Sequence, residues 1–309
     1  MLKIILTASL FLWSAAFAAP ENRSAKIHPA FGVDSKSETL LKTIKKPSAG
    51  DGTYTLTTDD VAALLKILQL TDLRIKAAVE NIVNAKTIGY KKLVTIYAVS
   101  DPKARHPLQR SFQQGSLKHT GNKFDIAISS DVGFFAFKDP KGNLVYSRDG
   151  ALRISGDGIL RNSIGYELYP TIKLPINALV EGFVVKETGE VFVHDGSQPK
   201  AIGQILLFTF PDLQDLVPLP ACSCFQPPKA VRKPQELIPG LKMAGSLLQG
   251  YVELSNVNTI EEQVDYLDMI RFYNLIYDTL TRLDPSFVGD KKVHKYDPKF
   301  VKELLEANK

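Results

Sequence analysis

Residues Gln113 to Ile128 read QQGSLKHTGNKFDIAI, and the fold is decided here. Gly115 follows two glutamines, Thr120-Gly121-Asn122 is a turn sequence, and Phe124-Asp-Ile-Ala-Ile128 then alternates as a strand does. A turn this particular, with no nucleophile or cluster of metal ligands around it, points to work done by packing and not by catalysis. The pattern continues outward from about Lys92 to Phe210. Runs such as Leu93 to Tyr97 alternate with turn signals at Asp149-Gly150, Asp157-Gly158, Thr188-Gly189 and Asp195-Gly196. Lys138 to Asn143 reads as a hairpin loop between FFAF and LVYS. Short strands with frequent turns predict a central all-β domain, a sandwich or irregular barrel, over 92–210.

The flanks change period. From Thr58 to Lys91, apolar residues recur at Val61, Leu64, Leu65, Leu68, Ile75, Val79, Ile82 and Val83, a helical spacing that Gly89 ends as a C-terminal signal. Near the other end, Thr259-Ile-Glu-Glu262 reads as a capping box. One apolar stripe follows through Ile260, Val264, Leu267, Ile270, Leu275, Leu280 and Leu283, and a second through Met269, Phe272, Tyr273 and Ile276. The class expected is therefore α+β, with N- and C-terminal helices pairing as a coiled coil around their stripes. The second stripe needs a further cover, either another subunit or the β domain. Between them, 211–248 is dense in proline and is expected to be an irregular return loop. The C-terminal helix of the polymerising domain is placed at 249–284 and a basic tail at 285–309.

A chain of 309 residues with 44% hydrophobic and 23% charged residues is ordinary for a globular protein. Its net charge of +5 is scattered. No basic stripe with interleaved aromatics points to nucleic acid. The opening MLKIILTASLFLWSAAFAAP has a positive n-region at Lys3, an apolar core from Ile4 to Trp13 and an Ala16-Phe17-Ala18 cleavage motif. It reads as a secretory signal over 1–18, followed by an extended arm over 19–57. The mature chain is then expected in the periplasm, and not as an integral membrane protein. Cys222 and Cys224 stand in ACSCF. An oxidising compartment permits a disulfide between them, in a tight and strained ring. Two thiolates alone make a poor zinc site, and the five histidines are scattered singly. No nucleophile, base and orienter form a set, and no cofactor or small-molecule substrate is expected.

Several ordered motifs resemble the axial proteins of the bacterial flagellum, the hook and basal-body rod family, most of all its distal-rod members. GSLKHTGNKFDIAI resembles the family's "GSLxxTGNxLDxAI", carried by Gly115, Ser116, Leu117, Thr120, Gly121, Asn122 and Asp125. Gly133-Phe-Phe135, Tyr146-Ser-Arg-Asp-Gly150, Gly158-Ile-Leu160 and Gly165 to Pro170 follow in the family's order. Gln249 to Asn258 is similar to "QGYLEMSNVN", and Asn81, Asn84, Thr87, Gly89, Tyr90 and Lys91 to "NNLANxNTxGFK". Arg271 and Tyr273 continue the match, which covers about Leu64 to Leu283.

The resemblance implies a non-enzymatic polymer subunit whose partners are itself and other rod or hook proteins, with paired terminal helices lining a tube. The implied assembly surface comprises Leu64, Leu68, Ile75, Val79, Asn81, Asn84, Val264, Leu267, Ile270, Arg271, Tyr273 and Ile276. Against the family pattern, Glu80 and Lys86 replace asparagines, Ile270 replaces a glutamine, and the signal and arm precede the first helix. A second reading uses the same fold as a periplasmic or cell-surface binding module outside the flagellum.

Overall fold

A computed structural model of the chain describes residues 58–95, 108–175, 179–194, 198–220, 222–228, 234–241, 244–283 and 295–296. The expected signal peptide, the arm, the Asp195-Gly196 turn and most of the basic tail lie outside the described residues. The described residues fall into two compact units. One draws on 58–75, 267–283 and 295–296, the other on 76–95 and the residues from 108 to 266.

The described residues contain two α-helices: α1, Thr58–Val83, and α2, Thr259–Leu283. Neither contains a glycine or proline, so nothing in their sequences breaks the backbone ladder. α1 stops at Val83, short of the expected end. Gly89 has φ 67° and its N–H donates to the Glu253 carbonyl at 2.8 Å. A Cβ there would lie 2.5 Å from the Asp149 nitrogen, so this glycine answers a close approach and does not cap the helix. α2 begins later than the segment expected at 249–284, because 246–249 and 251–253 are strands. Its cap is also one residue earlier than expected. Asn258 Oδ1 accepts from the N–H groups of Ile260 and Glu261, at 3.2 and 3.4 Å.

In the first unit, Leu68 and Ile75 of α1 and Ile270, Tyr273, Ile276, Tyr277 and Leu280 of α2 are buried. Tyr296 touches both helices. Its hydroxyl donates to Asp72 at 2.6 Å, its ring meets Tyr273 edge-on with centroids 4.9 Å apart, and its backbone exchanges two 3.0 Å hydrogen bonds with Asn274.

The second unit is the β body. Its largest sheet has seven antiparallel strands in the order 217–218, 224–226, 144–147, 135–138, 167–169, 160–161, 153–154. Strands 135–138 and 144–147 form the expected hairpin, closed by the Asp139 N–H to Asn143 carbonyl bond, with Gly142 at φ 81°. The sheet is apolar on both faces. Phe135, Phe137 and Val145 join one core with Ile126, Leu168 and Val191, while Phe134, Ala136 and Tyr146 join a second with Phe208, Phe210 and Phe225. A smaller three-stranded sheet (179–185, 190–194, 200–204) and four two-stranded ladders complete it.

The proline-dense stretch is more regular than expected. Strands at 217–218, 224–226 and 235–237 belong to it, and Cys224 and Phe225 are buried. Pro218 is accommodated because its strand is the sheet's edge, where a missing N–H costs no ladder bond.

Candidate functional site

The opening stretch is held by a buried carboxylate. Glu253 lies in strand 251–253, which pairs antiparallel with 117–119, with Glu253 opposite Leu117. Its Oε1 accepts from Lys91 Nζ at 2.6 Å and from the Gly115 N–H at 3.0 Å, and its Oε2 accepts from Arg148 Nε at 2.8 Å. Lys91 also donates to the Gln113 carbonyl at 2.6 Å, and the Arg148 guanidinium donates to the carbonyls of Gly133 and Ser130. All three charged residues are about 1% exposed. Two cations thus share one anion away from water, and each of their side-chain nitrogens in this knot has an acceptor. Burial holds the Lys91 ammonium below its ordinary pKa, only partly opposed by Glu253. The knot joins the segment after α1, the GSL turn, the GFF and SRDG segments, and the strand leading to α2.

The rest of the quoted motif is a second, smaller knot. Thr120 Oγ1 donates to Asp125 Oδ2 at 2.6 Å and Asn122 Nδ2 to Asp125 Oδ1 at 3.0 Å. Asn122 Oδ1 accepts from the Phe124 N–H at 3.1 Å, while Gly121 takes φ 72°. The Gly250 carbonyl accepts from the N–H of Thr120 at 2.8 Å, and the Gly250 N–H donates to the Asp125 carbonyl at 2.7 Å. Gly115, Ser116, Leu117, Thr120, Gly121, Asn122 and Asp125 are therefore brought together, Asn122 bracing the turn itself and the others meeting the returning strand.

Asn81 is buried and fully used. Its Nδ2 donates to Glu262 Oε2 at 3.1 Å and to the Leu93 carbonyl at 2.9 Å, and its Oδ1 accepts from the Leu93 N–H at 2.8 Å and the Tyr90 hydroxyl at 3.1 Å. Glu262 thus faces Asn81, and its carboxyl, expected to complete a capping box, does not reach back to the cap. Asn84 only closes a local turn, donating to the Glu80 carbonyl at 2.9 Å.

The apolar positions divide. Leu68, Ile75, Ile270, Tyr273 and Ile276 are covered by the chain's own atoms, and Leu64, Val79 and Leu267 are half-buried. Along α2 an outward line remains: Ile260 is 74% exposed, Val264 52% and Leu275 52%. Leu267 and Arg271 stand between them at helical spacing, with Arg271 Nη1 3.1 Å from Asp268 Oδ1 in an exposed pair worth little on its own.

Sequence reasoning missed the roles of Lys91, Arg148, Glu253 and Asn256. Asn256 Oδ1 accepts from the Lys92 N–H at 2.7 Å and its Nδ2 donates to the Ser111 carbonyl at 2.8 Å. The available signal was a charge inside an apolar strand, as Glu253 sits between Val252 and Leu254. Cys222 and Cys224, the pair expected to bridge, are unbridged in the structure. Among the described residues no group of three or more histidine, cysteine, aspartate or glutamate side chains could hold a metal ion. Likewise, no helix there is long and apolar enough to cross a membrane.

Asp149 supplies a pH test. Burial raises its pKa above the ordinary 3.8, against hydrogen bonds from Ser163 Oγ (2.6 Å) and the Ala151 N–H (3.0 Å). A carboxyl with a raised folded pKa takes up a proton on folding. Its contribution is full below the unfolded value and is lost as pH rises through the folded one. Asp149→Asn should therefore gain stability relative to the parent between pH 4 and pH 7. Urea unfolding at both pH values reads this directly; an equal difference at the two would refute it.

These geometries define a class of protein in which ordered motifs fix backbone to backbone and apolar side chains on a helix stay exposed. The family model "Flagellar hook protein FlgE/F/G D1 domain" matches residues 127–193, within the β body. Two relatives, each named "Flagellar basal-body rod protein FlgG", come from Buchnera aphidicola subsp. Schizaphis graminum and subsp. Acyrthosiphon pisum. The first is 34% identical over 167 residues, covering 54% of this chain and 64% of the relative. The second is 34% identical over 176 residues, covering 57% and 67%. A third of the same name, from Buchnera aphidicola subsp. Baizongia pistaciae, is 32% identical over 178 residues, covering 57% and 67%. The chain thus spans about two thirds of these relatives' length, and it belongs to the flagellar hook and basal-body rod protein family.

Proposed function

We propose that the chain is a structural axial component of the bacterial flagellar basal body, distal-rod-like, that assembles with copies of itself and with other rod or hook proteins. The observation that carries this is the outward apolar line of Ile260, Val264 and Leu275 on α2, in a chain whose relatives are named basal-body rod proteins. In this reading the terminal helices pair as a coiled coil between and within subunits, and the β body sets their spacing. It works by burial and not by catalysis, and a secretory signal delivers it to the periplasm. Each leucine-sized side chain buried in a contact contributes about 1.5–3 kcal/mol, repeated at every subunit.

Ile260→Asp and Val264→Asp should leave the fold intact and abolish assembly, read by sedimentation of purified protein and by its presence in isolated basal bodies. Ile270→Asp is a poor probe, because Ile270 is 1% exposed and its loss would damage the fold. Normal polymers and normal basal-body incorporation from both surface variants would overturn the helix-face assignment.

A further inference from the structure

Strands 217–218 and 224–226 form a hairpin, with the Leu219 N–H donating to the Cys224 carbonyl at 2.9 Å. Cys224 is in its ladder, paired opposite Ser147, and is 2% exposed. Cys222 lies in the turn, outside the ladder, and is only half-buried. Both line a cavity of about 300 Å³ with Lys86, Ser147, Asp149 and Ser163. That volume lies at the small end of pockets that admit organic ligands.

We propose that Cys222 and Cys224 are a thiol–disulfide exchange site, with Cys222 the attacking sulfur and Cys224 the resolving one. Residues two apart in a chain are at most about 7 Å apart, so the pair is within reach of a bridge, in a tight and strained ring. The neighbouring Cys224 draws the Cys222 pKa down, against burial. The same contact, with burial, pushes the Cys224 thiol up. The nearby Asp149 carboxyl opposes thiolate formation at both sulfurs, so it is the neighbouring Cys224 that favours the one at Cys222, the more exposed of the two.

The co-reactant is a low-molecular-weight disulfide entering the cavity. The Cys222 thiolate attacks one of its sulfurs, forming a mixed disulfide and releasing one thiolate, which takes up the proton Cys222 gave to solvent. Cys224 then loses its proton and attacks the Cys222 sulfur. The intramolecular bond forms, the mixed disulfide breaks, and the second thiol leaves. The protein pair is oxidised by two electrons and the disulfide is reduced to two thiols.

This inference does not rest on the assembly reading, since it is tested on the full chain in solution. The folded protein is treated with glutathione disulfide and its intact mass measured. The parent should lose two hydrogens without retaining glutathione. Cys224→Ala should stop with one glutathione on Cys222. Cys222→Ala should stay unmodified, and its remaining thiol should alkylate about tenfold more slowly than Cys222 does. Circular dichroism establishes that each variant is folded, with Cys224→Ser standing in if the alanine variant is not. A parent that stays reduced, or a Cys222→Ala variant that takes glutathione as readily, would overturn the proposal.

Discussion

Glu253→Ala should destabilise the β body by about 3–5 kcal/mol, because it leaves the buried Lys91 and Arg148 cations without their anion. The loss comes less from the attraction removed than from the cost of two charges held from water with no counter-charge. Glu253→Gln should recover little, since an amide accepts hydrogen bonds but does not neutralise a cation. Lys91→Met should cost less than either, because Arg148 and Glu253 then remain as a one-to-one pair, and burial already disfavours the Lys91 charge. Urea unfolding of the three variants gives the order. A Glu253→Ala chain within about 1 kcal/mol of the parent would show that the knot is not a source of stability.

The second large effect is at Gly115, where alanine should cost about 3 kcal/mol. A Cβ there would sit 2.0 Å from the Leu254 carbonyl oxygen, and Leu254 is itself fixed, its N–H donating to the Ser116 carbonyl at 2.9 Å. Relief requires strand 251–253 to move, which also lengthens the Gly115 N–H bond to Glu253. Gly142→Ala is the control. Gly142 has φ 81° but nothing within 4 Å of its Cβ position, so it should cost only the left-handed strain of about 1 kcal/mol. Equal losses at the two glycines would mean that close approach at Gly115 is not what matters.

How much of this was legible in the sequence depends on range. The hairpin at 138–143 and both helices follow from local spacing, turn residues and the absence of glycine and proline, and these the sequence announces. Asn258 in place of Thr259 as the cap is a one-residue ambiguity between two good capping residues, settled by where the chain arrives from strand 251–253. Gly89 and Gly150 looked like turn or end signals. Their real reason is a neighbour distant in sequence: Asp149 for the first, and for the second the Ile126 carbonyl, 1.8 Å from a would-be Cβ. Pro218 argued against a strand until the sheet order placed it at an edge. The division of the apolar positions on α2 into covered and outward sets was not legible, because periodicity marks faces without saying which neighbour each one meets.

The Glu253 knot also has a temporal side. Its bonds join residues 162, 138 and 105 positions apart, reaching back to Lys91, Gly115 and Arg148. Closing loops of that length precedes any reward from the contacts they make. While the chain grows from its N-terminus, Lys91 and Arg148 must wait, charged and hydrated, until residue 253 has emerged. The knot therefore acts as a completion check: partial chains cannot close it, and the β body gains this lock only once the strand leading into α2 has been made.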